Sequence, residues 1–411
     1  MRLFVVEPLA AGGMIHYAYQ LCAALAEAGA DVTLVTAGNY ELDGWPHNFT
    51  VEKRLRWWTL HDAASSRPPR SRLARAWRKI RWSARRVGRG ARLLWEWLRL
   101  TRYLLRERPD VVQFGKINFP FEAFFLAWLR WRGLYLAQIC HEFELRERGS
   151  APVVYLVNRL YTAVYAQFSL IFLHGAYNRR RFLQLFPQAA GKTAVIPHGN
   201  ERIFLEQHGG AAARERLRQQ YQLADGEPVV LFFGNLTPSK GLPDLLHAFA
   251  RLRHRTPARL VVAGYPTKYI DLPALQATAV ALGIAGSVIF DARYLPVAEV
   301  GPLLELATVA VYPYLSSTQS GSLQVAYSFG RPVVATAVGG LPEVVEDGRS
   351  GFLVPPGDPE ALAEALFKIT SNPALAQEMG AYARHLSQTR FAWGPIGAQI
   401  LAVYKAKAAQ G

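Results

Sequence analysis

Residues 3–36 read LFVVEPLAAGGMIHYAYQLCAALAEAGADVTLVT. Leu3 to Val6 is a short apolar run and predicts a buried strand. Gly12-Gly13 marks a turn. From about Ile15 to Ala28 apolar residues recur at helical spacing, and Gly29 ends the run. Asp31 to Thr36 predicts a second strand. Strand, glycine turn, helix and strand in this order imply a parallel sheet with its ligand end at the glycines.

The pattern continues outward. Pro109 stops a helix, and Pro109-Asp110-Val111-Val112 opens a strand. Further strands are expected at Leu134 to Cys140, Ser169 to Leu173 and Thr193 to Ile196, the last closed by Pro197-His198-Gly199. Residues 200–226 are polar and read as a linker with a helix. A second alternating series follows. Strands are expected at Val229–Phe233, Arg259–Ala263, Val288–Phe290, Val309–Tyr312 and Pro332–Thr336, with helices at Leu242–Leu252, Leu272–Leu282 and Leu323–Phe329. Two successive α/β halves, each doubly wound and Rossmann-like, predict a cleft between them, lined by strand carboxyl ends and helix N-termini. The domain reading is 1–200, 201–390, and a tail helix in 391–411 that packs back on the first domain.

With 51% hydrophobic residues among 411 the chain can bury two cores, which excludes a disordered or collagenous protein. Two cysteines, Cys22 and Cys140, exclude a disulfide-built scaffold and fit a reducing compartment. The Leu3–Val6 run is too short for a signal-peptide core. The greasy stretches 119–140 and 153–177 are interrupted by polar and charged residues, so no membrane span is expected. A cytosolic location follows as an expectation.

Several chemistries find no support. Gly191-Lys192-Thr193 lacks the upstream glycine of a phosphate-binding loop, because position 186 is Phe186. No G-x-G-x-x-G follows the first strand. There is no D-x-D pair, no H-E-x-x-H spacing and no G-x-S-x-G elbow, so neither a dedicated metal site nor a serine hydrolase is expected.

Five other pieces stand in order. They are Ala11-Gly12-Gly13, Ile196-Pro197-His198-Gly199, Phe232-Phe233-Gly234-Asn235-Leu236 leading to Lys240-Gly241, Leu245-Leu246-His247-Ala248-Phe249, and Gly330-Arg331-Pro332-Val333-Val334-Ala335-Thr336 running on through Gly339-Gly340-Leu341-Pro342-Glu343 to Gly357-Asp358. Together they resemble the retaining glycosyltransferases of family 4, with the GT-B fold of two facing domains. The resemblance spans nearly the whole chain and is weakest from about Asn39 to Arg108.

The resemblance implies a sugar transfer from a nucleotide-sugar donor to a glycan or lipid-linked acceptor, with retention, no metal and no cofactor besides the donor itself. His141, at the end of a strand, matches the family's cleft histidine near the reacting carbon. Gly12, Gly13, Gly234, Asn235, Lys240, Gln319, Ser320, Gly321 and Ser322 are implied on the donor side. Lys240 can reach a diphosphate as a point charge, and Ser320-Gly321-Ser322 offers hydroxyls and free N–H groups at a helix start. Glu343 is expected beside the positive end of the helix that it begins. The chain departs from the family at two places. The paired glutamates of the donor loop align with Ser317 and Val325, and the basic residue after Gly234 is Asn235. A non-catalytic sugar-nucleotide or glycan-binding subunit of a membrane assembly is therefore the alternative reading.

The formal net charge is +16, and Arg67 to Arg108 alone holds fifteen Lys/Arg and two acids. Apolar residues at Leu73, Trp77, Ile80, Ala84, Val87, Ala91, Leu94, Leu98 and Leu105 predict a helical stripe, with Gly88 and Gly90 dividing it into two helices. The arginines on the other faces, with nearby tryptophans, suggest an anionic membrane surface, contacted through Arg72, Arg75, Arg78, Arg81, Trp82 and Arg85 at the inner face of the membrane. A plain surface helix is the alternative. Nucleic acid is disfavoured, since no aromatic platform or recognition loop is visible.

Overall fold

A computed structural model describes residues 1–56, 72–144, 151–206 and 209–408, with 72–87, 151–154 and 408 described by their backbone only. The first sheet holds β1 (Arg2–Val6), β2 (Asp31–Ala37), β3 (Thr50–Leu55), β4 (Val111–Phe114), β5 (Leu136–Cys140), β6 (Leu170–His174) and β7 (Thr193–Ile196). Its order is β3-β2-β1-β4-β5-β6-β7, all parallel. The second holds β8 (Val229–Phe233), β9 (Arg259–Ala263), β10 (Val288–Asp291), β11 (Val309–Tyr312), β12 (Val333–Thr336) and β13 (Gly351–Val354). Its order is β10-β9-β8-β11-β12-β13, again parallel.

The central strands are buried at nearly every residue, which is why they read as continuous apolar runs rather than alternations. Strand order reverses beside β1 in one sheet and beside β8 in the other. Those two switch points are where an open α/β sheet leaves a crevice at its carboxyl edge.

Two strands carry no sequence signal. β3 reads TVEKRL and is half exposed, being an edge strand. β13 is only four residues, and it fits beside β12 because Gly351 has no side chain: a Cβ there would stand 2.0 Å from the Val333 carbonyl oxygen.

The basic segment differs from the expectation. Arg72–Glu107 forms one continuous helix, and Gly88 and Gly90 do not divide it. A glycine in a helix interior costs about 1 kcal/mol relative to alanine, which the good helix formers around it offset. The buried face is also rotated. Leu93, Trp97, Leu100 and Leu104 face the core, whereas Ala91 and Leu94 are exposed. Trp97 is drawn inward by stacking on Phe125 and Phe114 and by its indole N–H donating to Glu122 at 3.2 Å. The side chains of Arg72, Arg75, Arg78, Arg81, Trp82 and Arg85 lie outside the described residues.

The helix Trp393–Ala408 leaves the second domain and packs on Gly13–Glu27 of the first. Contact is close at Gly397, where a Cβ would lie 2.7 Å from the Ala24 carbonyl oxygen. The Trp393 indole donates to the Asn200 carbonyl at 2.7 Å, Gln399 donates to Val195, and the Tyr404 hydroxyl donates to Gln113.

Candidate active site

The carboxyl ends of both sheets meet in one cleft. β5, β6 and β7 are neighbours, and His141, His174 and His198 stand at or just beyond their ends. Adjacent strands lie about 4.8 Å apart, and the ring centroids follow that spacing: 4.9 Å from His141 to His174 and 4.8 Å from His174 to His198. The Tyr17 ring packs edge-on against all three and against Trp393. Burial lowers all three histidines, helped at His141 and His174 by charge on His198: His141 falls to about 3, His198 to about 4, and His174 well below its usual range. They are neutral imidazoles. Neither ring nitrogen of His174 has a hydrogen-bond partner among the described residues.

These three are the described group that could hold a metal ion, with ring nitrogens within 4.8 Å of one another. Three imidazoles sharing a zinc at its usual bond length have ring nitrogens roughly 3.4 Å apart.

Glu7 ends β1 beside the first switch point. It lines a small cavity with Met14, Tyr17, Gln113, Gly115 and His141. One carboxyl oxygen accepts from the Leu9 N–H at 3.0 Å, and the other has no partner among the described residues. Burial pushes Glu7 up to about 7. The folded protein therefore holds a proton that the unfolded chain releases above 4.5, and stability falls as pH rises from about 4.5 to about 7. The histidines act with the opposite sign, since the unfolded chain binds protons that the folded one refuses below 6.5. Glu7→Gln removes the carboxyl contribution alone. Its stability relative to wild type should rise between pH 5 and pH 8 by on the order of 2 kcal/mol, read by urea melts at both pH values. An unchanged difference would show that Glu7 is not titrating as a buried acid.

Gly12, at φ +85°, caps the helix Gly13–Glu27. Its N–H donates to Glu41 at 2.9 Å, and the same carboxylate bonds His16 at 3.1 Å and accepts from the Tyr294 hydroxyl of the second domain at 2.6 Å. Burial alone would raise Glu41, but these bonds together outweigh it and bring it down to about 2. An anion already sits at the glycine turn, and it ties that turn to the opposite domain.

In the second domain, Gly234 follows β8 at φ +143° and lies against Ser322, whose hydroxyl a Cβ on Gly234 would approach to 3.3 Å. Asn235 beside it is exposed. Lys240 lies over the Tyr314 ring, Nζ 3.5 Å from its centroid, and no described acid pairs with it. The Tyr314 hydroxyl bonds both Ser320 Oγ at 3.0 Å and Ser322 Oγ at 3.2 Å, and the serines bond each other at 3.1 Å. Ser320 also caps the helix Gly321–Ser328 through the Leu323 N–H. Tyr314 thus couples Lys240 to the serine pair.

The loop 316–320, ahead of the helix Gly321–Ser328, is tied across the cleft. Thr318 donates to the His141 carbonyl at 2.9 Å, Gln319 to the His174 carbonyl at 2.7 Å, and Asn178 to the Thr318 carbonyl at 2.9 Å. Gly321 lies near His198, whose Cε1 a Cβ there would meet at 3.8 Å. Ser317 and Val325, where the family carries glutamates, are buried; Ser317 bonds the Gln319 carbonyl and Val325 packs in the core. Glu343 differs from the expectation, because its carboxylate accepts the Tyr177 N–H at 2.6 Å, in the first turn of the helix Ala176–Leu185 of the other domain.

His174, Glu7, Glu41 and Tyr314 were not legible as site residues. The trio had one available signal: three successive predicted strands, each followed within two residues by a histidine. Glu41 and Tyr294 had none, since they meet 253 positions apart.

Two Rossmann-like sheets facing each other across a cleft, with a tail helix returning to the first, define the GT-B class of glycosyltransferase fold. The chain belongs to glycosyltransferase family 4: residues 12–199 match the family described as glycosyl transferase 4-like domain, and residues 227–372 match glycosyl transferases group 1. It is 33% identical over 236 residues to a GDP-mannose-dependent alpha-(1-6)-phosphatidylinositol monomannoside mannosyltransferase of Mycolicibacterium smegmatis, covering 54% of this chain and 59% of that protein. It is 32% identical over 266 residues to a D-inositol 3-phosphate glycosyltransferase of Acidothermus cellulolyticus, covering 62% and 55%. The chain thus spans little more than half the length of the curated relatives it matches. In structure, a sucrose-phosphate synthase of Thermosynechococcus elongatus superposes with a TM-score of 0.72 at 20% identity over 100% of both chains. The Anabaena protein HepE, solved with UDP and glucose, gives 0.70 at 20% identity over 99% of this chain and 100% of that one. These likenesses show the fold.

Proposed function

We propose that the chain transfers a hexosyl group from a nucleotide-sugar to a glycan or lipid-linked acceptor, with retention and without a metal. The observation that carries this reading is the Lys240–Tyr314–Ser320–Ser322 cluster at the second switch point, opposite the neutral histidines of the first domain. In the reaction the bond from the sugar's C1 to the diphosphate oxygen breaks. The acceptor oxygen bonds C1 on the same face, and its proton is released with the nucleoside diphosphate. Lys240 and the N–H groups ahead of Gly321–Ser328 face the charge that develops on the diphosphate. In this reading His141, His174 and Gln319 bond sugar hydroxyls, which need no carboxylate. Attachment at the inner face of a membrane would come from the basic helix Arg72–Glu107.

The buried Ser317 and Val325 favour the second reading, a subunit that binds without turnover. Calorimetric titration with UDP, GDP, ADP and their glucose or mannose conjugates, without added metal, tests both. Micromolar binding to one nucleotide with release of free sugar or transfer is the expected result. Binding without any turnover selects the subunit, and no binding to any of them removes the transferase reading.

A further inference from the structure

Two neighbouring helices of the first domain expose apolar stripes that no described element covers. On Glu122–Trp131 and the residue before it, Phe121, Phe124, Trp128 and Trp131 recur at steps of three, four and three, so they share one face. Phe124 is 70% exposed and Trp131 80%. The adjoining helix Ala151–Gln167 exposes Tyr155, at 69%, with Leu156 and Leu160. Contiguous exposed aromatic surface of this kind marks an interaction site. This stripe is separate from the arginine-rich segment, and sequence periodicity would have assigned it to the core.

We propose that this face docks on an anionic phospholipid bilayer, its aromatic rings entering the headgroup boundary while the neighbouring arginines meet the phosphates. Charge commits the surface to that occupant. Arg130, Arg132 and Arg159 border the stripes, and neither helix carries an exposed acid among its described residues. The helix Arg72–Glu107, packed on Glu122–Trp131, exposes Trp95 as well. A second copy of the chain would set these arginines against their own kind. Aromatic residues with flanking arginines are the composition of a segment that lies in the interface plane, and no described helix is long and apolar enough to cross a membrane. The aromatic stripe starts at the cleft: Phe119 and Phe121 stack in the segment leaving the carboxyl end of β4, whose edge forms the first switch point. An amphiphilic, lipid-linked acceptor would reach the cleft from the bilayer at that corner. The inference deepens the membrane-side reading above, and nucleotide binding does not depend on it.

Flotation of the full chain with vesicles of phosphatidylglycerol and phosphatidylcholine, against phosphatidylcholine alone, tests this. Binding should favour the anionic vesicles and survive in part at about 0.5 M salt, where purely ionic contacts are screened. The double variant F124S/W131S should lower partitioning at least about tenfold at both low and high salt, with nucleotide binding unchanged by calorimetry. In the parent chain, brominated lipid should quench fluorescence that W131F no longer contributes. Unchanged partitioning of F124S/W131S would overturn the proposal. So would a concentration-dependent dimer that this variant dissolves in the absence of any vesicle binding.

Discussion

Lys240→Ala should lower nucleoside-diphosphate affinity and sugar transfer together, with kcat/KM falling on the order of 10²–10³-fold. The ammonium sits at the carboxyl edge of the second sheet, over the Tyr314 ring and with no described acid beside it. No described acid neutralises it, so its charge is available to a diphosphate. In a cleft walled by buried side chains that attraction is weakly screened. The melting temperature should hardly move, because removing Nζ costs only a cation–π contact, about 0.5–1 kcal/mol at a partly exposed site. Tyr314→Phe separates the parts. It keeps the ring under Lys240 and removes the hydroxyl that orders Ser320 and Ser322, so it should weaken binding less than Lys240→Ala. Calorimetry and initial rates check both variants. Equal binding by Lys240→Ala and the parent would remove Lys240 from the donor site.

Gly339→Ala should destabilise the second domain by about 3 kcal/mol and abolish nucleotide binding with it. Gly339 sits at φ +57°, and a Cβ there would stand 1.6 Å from the Ser317 carbonyl oxygen. That atom is backbone and belongs to the donor loop, so no rotamer change relieves the clash. The next glycine is equally confined, since a Cβ on Gly340 would be 2.5 Å from the Thr318 carbonyl oxygen. Together the pair forms the floor on which Ser317 and Thr318 lie. From there Thr318 and Gln319 reach the carbonyls of His141 and His174. Thermal melting and nucleotide titration of the same preparation check the variant. A melt within a degree or two of the parent would mean that the loop can lift off its floor.

The architecture was largely legible in the sequence. Buried parallel strands must be apolar at both faces, and helices between them must be amphipathic, so β8, β9 and β11 are foreseen residue for residue. The glycine turn at Gly12 is a local requirement, whereas Gly234 and Lys240 were singled out by the family resemblance. β3 and β13 were not foreseen: three of the six residues of β3 are charged, and β13 is a four-residue strand whose place beside β12 depends on Gly351 meeting the Val333 carbonyl. The burial phase of Arg72–Glu107 was misplaced for a related reason. Its many apolar residues permit two stripes, and only the rings of Phe114 and Phe125 choose the one that contains Trp97.

What the sequence by itself determined is the two doubly wound halves, their family, and the glycine turn after the first strand. Each depends on neighbours within a few positions. What only the tertiary structure decided is which distant groups share the cleft. It aligns three histidines at the spacing of three strands, joins Glu41 to Tyr294 across the domains, and leaves Phe124 and Trp131 facing outward. An apolar residue carries no mark in the sequence of whether its face will be covered, because that depends on elements packed against it from elsewhere in the chain.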